Sequence, residues 1–387
     1  MQKNFCISLF STDFFGKLVE IKILKYSSMY PLKIQSIQRN TPQSVNITFE
    51  VPEELKEFYQ FVPGQYLPIT YKNEINQWKR SYSVCSSPHE GKLTIGIKEI
   101  ENGQFSTYAN RFLKEGETIW IEKPQGRFVL PENKTFKKVV LFAGGSGITP
   151  CLSIIKDILS KNDQTQLVLF YSNREESQIM FASELLELEN QFGDRFVVYH
   201  YITHSQEAKN LKNVSFGFLD KNELLHLQNI QKLDFREFDK CLICGPEPMV
   251  VDYIEFLQSV GIGKEDIVFE LFTASTSSFF EEKASESPIF QKTDSSLVKV
   301  LIDGQIHQLN LRNDAYPNIL EAFLENDIEL PHSCKKGSCV SCMCKVTKGE
   351  VKMERSFALS QEEKDEGYVL LCQSTAISEE VEVNFDL

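Results

Sequence analysis

The sequence predicts a multidomain α/β plus β protein: an antiparallel β-barrel, a parallel α/β domain, and a small β domain at the end. Three observations carry that prediction. Residues 30–130 offer short alternating apolar runs broken by Gly and Pro, the pattern of many short strands with turns. From 137 to 272 short apolar runs alternate with helical stretches, which implies parallel strands with helices on both faces. Four cysteines then cluster near the C-terminus with metal-ligand spacing.

The bulk properties bound the reading. A chain of 387 residues has room for several domains at roughly 100–200 residues each. The net charge of −13 argues against nucleic acid as a partner, because phosphate binding needs a basic face. It suits docking to a basic patch on another protein, although many soluble proteins are simply acidic. No apolar run reaches the roughly 18 residues that a transmembrane helix needs. Ten cysteines over this length are not a disulfide scaffold, and that usage fits a reducing, cytoplasmic compartment.

In chain order, residues 1–28 keep neither period and read as a non-core extension. Met29 stands just before a fresh domain start at Tyr30, so a mis-set start site is one explanation. Residues 29–132 form the barrel, with strands at Val45–Val51, Tyr66–Tyr71, Arg80–Cys85, Lys92–Lys98 and Thr118–Glu122. Residues 133–272 form the α/β domain. Its strands are Val139–Ala143, Leu167–Tyr171, Phe196–Ile202, Lys240–Cys244 and Ile267–Phe272. Its helices are Pro150–Leu159, Ser177–Phe192 and Glu247–Val260. Residues 273–295 are rich in Ser, Thr and Glu without apolar period, the composition of a linker. In 296–387, Leu297–Ile302 and Ile306–Leu309 flank Asp303-Gly304 as a hairpin, Asn318–Asn326 is a helix, and Val381–Phe385 is a closing strand.

The most informative motif is Cys334-x4-Cys339-x2-Cys342, followed by Cys372. Four thiolates can hold two irons and two sulfides, and the tight spacing wraps the metal in a loop whose amides can reach the sulfurs. Gly337 permits the turn. Zinc is the competing reading, but zinc sites usually pair two short knuckles and here one ligand stands alone. Cys344 reads as a packed thiol. The run Pro331-His332-Ser333-Cys334-Lys335-Lys336-Gly337-Ser338-Cys339-Val340-Ser341-Cys342 resembles the binding loop of plant-type ferredoxins, which implies a 2Fe–2S cluster in a β-grasp domain.

Two further constellations concern organic cofactors. Arg80-Ser81-Tyr82-Ser83 offers a cation, a flat aromatic and a small donor within four residues of a strand. Alternation sets Arg80 and Tyr82 on one face and Ser83 on the other. Gly103-Gln104-Phe105-Ser106 opens a helix, where amides and a hydroxyl can bind phosphate. Gly144-Gly145-Ser146-Gly147-Ile148-Thr149 joins a strand to a helix, and glycines there let the backbone approach a pyrophosphate; a plain structural turn is the alternative.

These motifs, with Pro63-Gly64-Gln65-Tyr66 and Gly126-Arg127-Phe128, resemble the ferredoxin–NADP reductase superfamily. The resemblance implies FAD, with Arg80 at its pyrophosphate, Tyr82 on the isoalloxazine, Ser83 at its reactive edge and residues 103–106 at its phosphates. It implies a nicotinamide cofactor at Gly144, Gly145, Ser146, Gly147 and Thr149. The second hallmark, Cys244-Gly245-Pro246-Glu247-Pro248-Met249, implies Cys244 beside the nicotinamide and Gly245-Pro246 at the cofactor. Glu270 and Phe272 match the strand end that borders the flavin, so Cys244 and Glu270 are the candidate catalytic pair. Read in isolation, Cys244 is equally one more buried thiol.

After the second strand of the α/β domain comes Ser172-Asn173-Arg174. A cation there accommodates the extra phosphate of NADP, so NADPH is favoured over NADH, although Glu175 and Glu176 follow and a solvated loop is the bland reading. The domain order resembles the phenylacetyl-CoA epoxidase reductase subunits and related reductases of multicomponent oxygenases. That implies electron flow from NADPH through FAD and the cluster to an oxygenase or hydroxylase. Other acceptors, such as a lipid or carotenoid hydroxylase or a hybrid-cluster protein, and a ferredoxin-type carrier with an idle flavin half, remain alternatives at this point.

Overall fold

The computed structural model describes residues 29–72, 77–131, 134–161, 164–230, 233–272, 295–302, 304–312, 315–332, 335, 337, 340–356 and 358–387. The extension read at 1–28 and the linker read at 273–294 lie outside them. Ser295, read as the last linker residue, is the first residue of a strand.

The first sheet contains β1 (Met29–Thr41), β2 (Ser44–Glu50), β3 (Tyr66–Lys72), β4 (Gln77–Ser83), β5 (Leu93–Lys98) and β6 (Thr118–Glu122), in the order β4-β3-β6-β1-β2-β5. Every pairing is antiparallel, and a bridge from Val84 to Ile95 joins the two edges into a barrel. The cause is strict alternation. Tyr30, Leu32 and Ile34 of β1 and Val45, Ile47 and Phe49 of β2 point inward, with polar residues between them. Helix α1 (Gln104–Arg111) closes the barrel by burying Phe105 and Ala109 in it.

The second sheet is wholly parallel. Its strands are β7 (Lys138–Gly144), β8 (Gln166–Asn173), β9 (Phe196–Ile202), β10 (Val214–Phe216), β11 (Lys240–Gly245) and β12 (Ile267–Leu271), ordered β10-β9-β8-β7-β11-β12. Successive residues of β7 feed opposite cores. Val139 and Leu141 pack with α2 (Ile148–Ser160) and α3 (Ala182–Phe192). Val140 and Phe142 pack with α4 (Lys221–Asn229) and α5 (Glu247–Ser259). The strand order reverses between β7 and β11, and ligands of open α/β sheets bind beyond the carboxyl ends at such a switch.

Three local readings change. The helix expected from Ser177 begins at Ala182, because Phe181 sits in the left-handed region at φ 60° and its N–H donates to Asn40 Oδ1 at 2.7 Å. That tertiary bond to the barrel overrides local helix propensity. Strand β10 and helix α4 are absent from the sequence reading. β10 has three residues, and α4 buries only Leu224 and Leu227, which is too little apolar pattern to read.

The third sheet is built from β13 (Ser295–Ile302), β14 (Gln305–Arg312), β15 (Met343–Lys348), β17 (Tyr368–Leu370) and β19 (Glu380–Asn384), in the order β14-β13-β19-β15-β17. A ribbon of β16 (Val351–Met353) and β18 (Ser374–Ala376) stands beside it. Helix α6 (Ile319–Glu325) packs Leu320 and Phe323 on the sheet, and the short α7 (Gln361–Asp365) lies at the surface.

The barrel and the parallel sheet share buried contacts. Ser153 Oγ donates to the Ser86 carbonyl at 2.6 Å. Lys156, 11% exposed, bridges Glu90 of the barrel at 2.9 Å and Glu184 of α3 at 3.1 Å. The β7–α2 turn is equally tight, since a Cβ at Gly147 would lie 2.1 Å from the Cys244 carbonyl oxygen. We expect Gly147→Ala to lower unfolding stability by about 1–3 kcal/mol through overpacking, read from denaturant midpoints; an unchanged midpoint would contradict this close approach.

Candidate functional site

A cleft of about 2470 Å³ runs between the barrel and the carboxyl ends of β7, β8, β11 and β12. Pockets for a single drug-sized ligand measure roughly 300–1,000 Å³, so the cleft has room for more than one such ligand. Of the predicted residues, Arg80, Tyr82, Ser83, Ser106, Gly144, Gly145, Ser146, Thr149, Ser172, Arg174, Pro246 and Glu270 line it. One concavity therefore gathers both predicted cofactor motifs.

On the barrel side, β4 pairs with β3 so that Ser83 faces Tyr66 and Tyr82 faces Leu67. Arg80 is exposed at the rim and donates to the Lys79 carbonyl at 2.7 Å. The Tyr82 ring stands 6.0 Å from Phe105, and burial pushes its phenol well above the ordinary range against the pull of Arg80. Ser83 also reaches the cleft although alternation sets it on the other face. Helix α1 begins after Gly103 with no side chain capping it, so its first amides remain available for an anion. The Phe105 ring is buried in the barrel, and Gln104 Oε1 accepts from Trp78 Nε1 at 3.2 Å. Neither of these two residues lines the cleft; of the predicted phosphate segment, Ser106 does. Ser106 Oγ donates to the Gly103 carbonyl at 3.3 Å and accepts from the Ile100 amide at 3.3 Å.

On the sheet side, the three glycines have different jobs. Gly145 has φ 54°, and a Cβ there would meet only Lys98 Nζ at 3.7 Å, so its backbone is open to the cleft. Gly144 lies under Pro246 and Met249, while Gly147 lies against Cys244. The turn is pinned by Tyr171 Oη donating to the Gly145 carbonyl at 3.0 Å and Thr149 Oγ1 donating to the Ser146 carbonyl at 2.9 Å. The register of β11 on β12 sets Cys244 beside Glu270. Cys244 is fully buried and does not line the cleft. Burial, then Glu270, then Cys151 hold its thiol well above the usual range, so it stays protonated. Gly245 accepts from the Phe272 amide at 2.8 Å, which ties the final strand end to the hallmark turn.

Arg174 lines the cleft, whereas Glu175 and Glu176 line a separate depression. Glu176 accepts from the amides of Lys209 and Asn210, both at 3.0 Å, and these bonds hold its carboxyl below the usual range despite some desolvation. Lys98 is a cleft residue that the sequence reading missed. It follows Gly96 by two on β5, so alternation places both on the face away from the core residues Ile95 and Ile97. Burial first, and Arg174 second, hold the Lys98 ammonium below the usual lysine range.

For the cysteine loop, Cys342 and Cys372 are buried in the third core, and the Leu371 amide donates to the Cys342 carbonyl at 3.1 Å. Cys334 and Cys339 lie outside the described residues. The flanking backbone turns sharply, with Lys335 and Gly337 both left-handed at φ 55° and 75°. Gln373 Nε2 reaches the Lys335 carbonyl at 3.2 Å and Cys372 Sγ at 3.7 Å. Gln373 thus ties Lys335 of the loop to the Cys372 segment, which fits a cluster held from both segments. Cys344 is buried, and its thiol is pushed well up by burial and Cys342, as suits a packed thiol. His332 and Lys335 line the same cleft as Arg80 and Tyr82.

Known proteins share this arrangement. Residues 31–130 match the oxidoreductase FAD-binding domain, 141–254 the oxidoreductase NAD-binding domain, and 302–376 the 2Fe-2S iron-sulfur cluster binding domain. The chain is 32% identical to a component of the 1,2-phenylacetyl-CoA epoxidase of Escherichia coli (strain K12), over 93% of this chain and 98% of that one. It is 28% identical to the ferredoxin reductase component of 3-ketosteroid-9-alpha-monooxygenase of Rhodococcus rhodochrous, over 92% and 96%. Its fold is similar to that of phthalate dioxygenase reductase, with a TM-score of 0.57, 21% identity and coverage of 92% and 98%.

The depressed Lys98 gives a pH signature. A group lowered below the ordinary lysine value of about 10.4 loses its charge earlier as pH rises, so anion binding weakens earlier. In the wild type the Michaelis constant for the nicotinamide cofactor should climb on the alkaline side. Lys98→Gln should raise it about tenfold at neutral pH, the cost of one charge-assisted hydrogen bond, and flatten that climb. Parallel pH profiles for the two proteins would remove Lys98 from the binding site.

Proposed function

The chain belongs to the family of reductases that join FAD-binding, NAD-binding and 2Fe-2S domains and serve oxygenases, and from that premise we propose that NADPH is its reductant and an oxygenase acting on an aromatic acyl-CoA is its acceptor. It is a flavin- and iron–sulfur-dependent oxidoreductase. The acyl-CoA part of the proposal rests on the 32% relative, an epoxidase component whose name carries phenylacetyl-CoA. Its cytoplasmic location is proposed from the buried thiols of Cys85, Cys151, Cys241, Cys244 and Cys344, which form no disulfide. Among the described residues no helix is long and apolar enough to cross a membrane.

The observation that carries the NADPH assignment is the separation of Arg174 from its acidic neighbours. Arg174 faces the cleft, with Lys98 in electrostatic reach, while Glu176 is spent on two backbone amides. A carboxylate at this strand end would take the ribose hydroxyls of NAD; a cation takes the additional phosphate.

When bound, the nicotinamide supplies two electrons together, the flavin divides the pair, and the cluster hands on single electrons. The chain's own work is positioning. Arg80 and the uncapped start of α1 (Gly103, Gln104, Phe105, Ser106) would hold the FAD phosphates, and Tyr82 and Ser83 would flank its ring. Gly144, Gly145, Ser146, Gly147 and Thr149 shape the pyrophosphate turn, with Gly245-Pro246 on its other side and Ser172 and Arg174 at the distal ribose. Glu270, in the cleft lining, would border the reacting rings, and the buried Cys244 would support the strand end that carries them. Cys334, Cys339, Cys342 and Cys372 would hold the irons.

Arg174→Ala should raise the Michaelis constant for NADPH at least about tenfold, the loss of one charged hydrogen bond, and leave that for NADH within about twofold. Steady-state assays with both nucleotides decide it, since equal effects on the two would overturn the NADPH assignment.

A further inference from the structure

Among the described residues, the small C-terminal domain meets the rest of the chain through several polar contacts. Tyr66 Oη lies 3.0 Å from Ser341 Oγ, one residue before the cluster ligand Cys342. Arg127 Nη1 lies 2.5 Å from Glu363 Oε1, and its Nη2 lies 3.7 Å from Met343 Sδ. Arg355 Nη1 approaches Glu247 at 3.9 Å. His332 and Lys335 of the cysteine loop look into the same cleft as the flavin motif. The face of the domain that carries the cluster loop is thus the face that the barrel covers.

Glu363 has two roles that can be separated. Its Oε2 accepts from the Ser360 amide at 2.9 Å and caps α7, while Oε1 is left for Arg127. Around it Glu362 and Asp365 of α7 and the following Glu366 are exposed. An arginine of the same chain is already seated on this acidic surface, which shows the chemistry that the surface accepts.

We propose that this patch is shared: Arg127 and Tyr66 hold the cluster face against the flavin barrel, and the acceptor protein must displace them and present its own lysine or arginine to Glu363. Docking to the barrel and docking to the acceptor then exclude each other. Arg127 and Glu363 are positioning residues for electron transfer. This rests on the reading of the chain as a flavin and cluster reductase, but the scattering measurement below does not depend on electron flow.

The test uses holoenzyme and cytochrome c, a cationic one-electron haem protein, as the probe. Small-angle scattering at low salt should show Arg127→Glu and Glu363→Gln with a larger radius of gyration than wild type. Glu363→Gln keeps the helix cap, so a folding defect is not the cause. Stopped-flow mixing with NADPH should leave flavin reduction within twofold and slow the following cluster reduction about fivefold or more in both variants. When the pre-reduced cluster gives one electron to ferric cytochrome c, Arg127→Glu should react faster than wild type and Glu363→Gln more slowly than Arg127→Glu. Wild-type scattering in both variants would overturn the latch. Equal rates to cytochrome c in the two variants would overturn the shared patch. Failure of NADPH to reduce the wild-type flavin would count against the reductase reading instead.

Discussion

The cleft exists in its present form because the barrel strand β5 carries no side chain at Gly96. A Cβ there would stand 2.7 Å from Thr149 Cγ2, 3.2 Å from Met180 Cε and 3.3 Å from Phe181 Cζ. The bare backbone lets the start of α2 and the approach to α3 press directly onto the barrel. Around that contact lie the Ser153–Ser86 hydrogen bond, the Lys156 ion pairs and the bond from Phe181 to Asn40. Transfer between two bound rings requires reacting atoms held roughly 3–3.5 Å apart. A buried interface with interlocked polar contacts supplies that rigidity, and it places Thr149, Lys98 and the Gly145 turn around one space.

The attachment of the C-terminal domain is of another kind. Its described polar contacts are few, and the shortest pairs a 48%-exposed Arg127 with Glu363. Exposed ion pairs of this sort contribute roughly 0–1 kcal/mol each, so they orient a domain without fixing it permanently. The two interfaces match two demands on one chain: a fixed geometry where two electrons move together, and a reversible one where single electrons leave.

Much of this was legible in the sequence because it depends on local pattern. Alternation revealed β2, β3 and β6, and the strand–glycine–helix sequence at 139–159 located the nucleotide turn. The cysteine spacing pointed to the cluster, and Cys342 and Cys372 do meet in one core. What was illegible depends on partners distant in sequence. Phe181 leaves the helix because Asn40 holds its amide. Glu176 is held by amides more than thirty residues away. Lys98 needed only the alternation already visible at Ile95 and Ile97, together with the knowledge that Gly96 marks the face turned toward the second domain. Phe105 belonged to a binding motif by type, yet its ring serves the barrel core.

The central claim is that electrons enter at the nicotinamide cleft and reach the cluster through the flavin. Anaerobic titration of the holoprotein with NADPH, followed by visible absorption, tests it most directly. The account predicts bleaching of the flavin bands and of the cluster bands within the same titration. Flavin absorbance unchanged by excess NADPH, or a reduced flavin beside a cluster that stays oxidised, would contradict it.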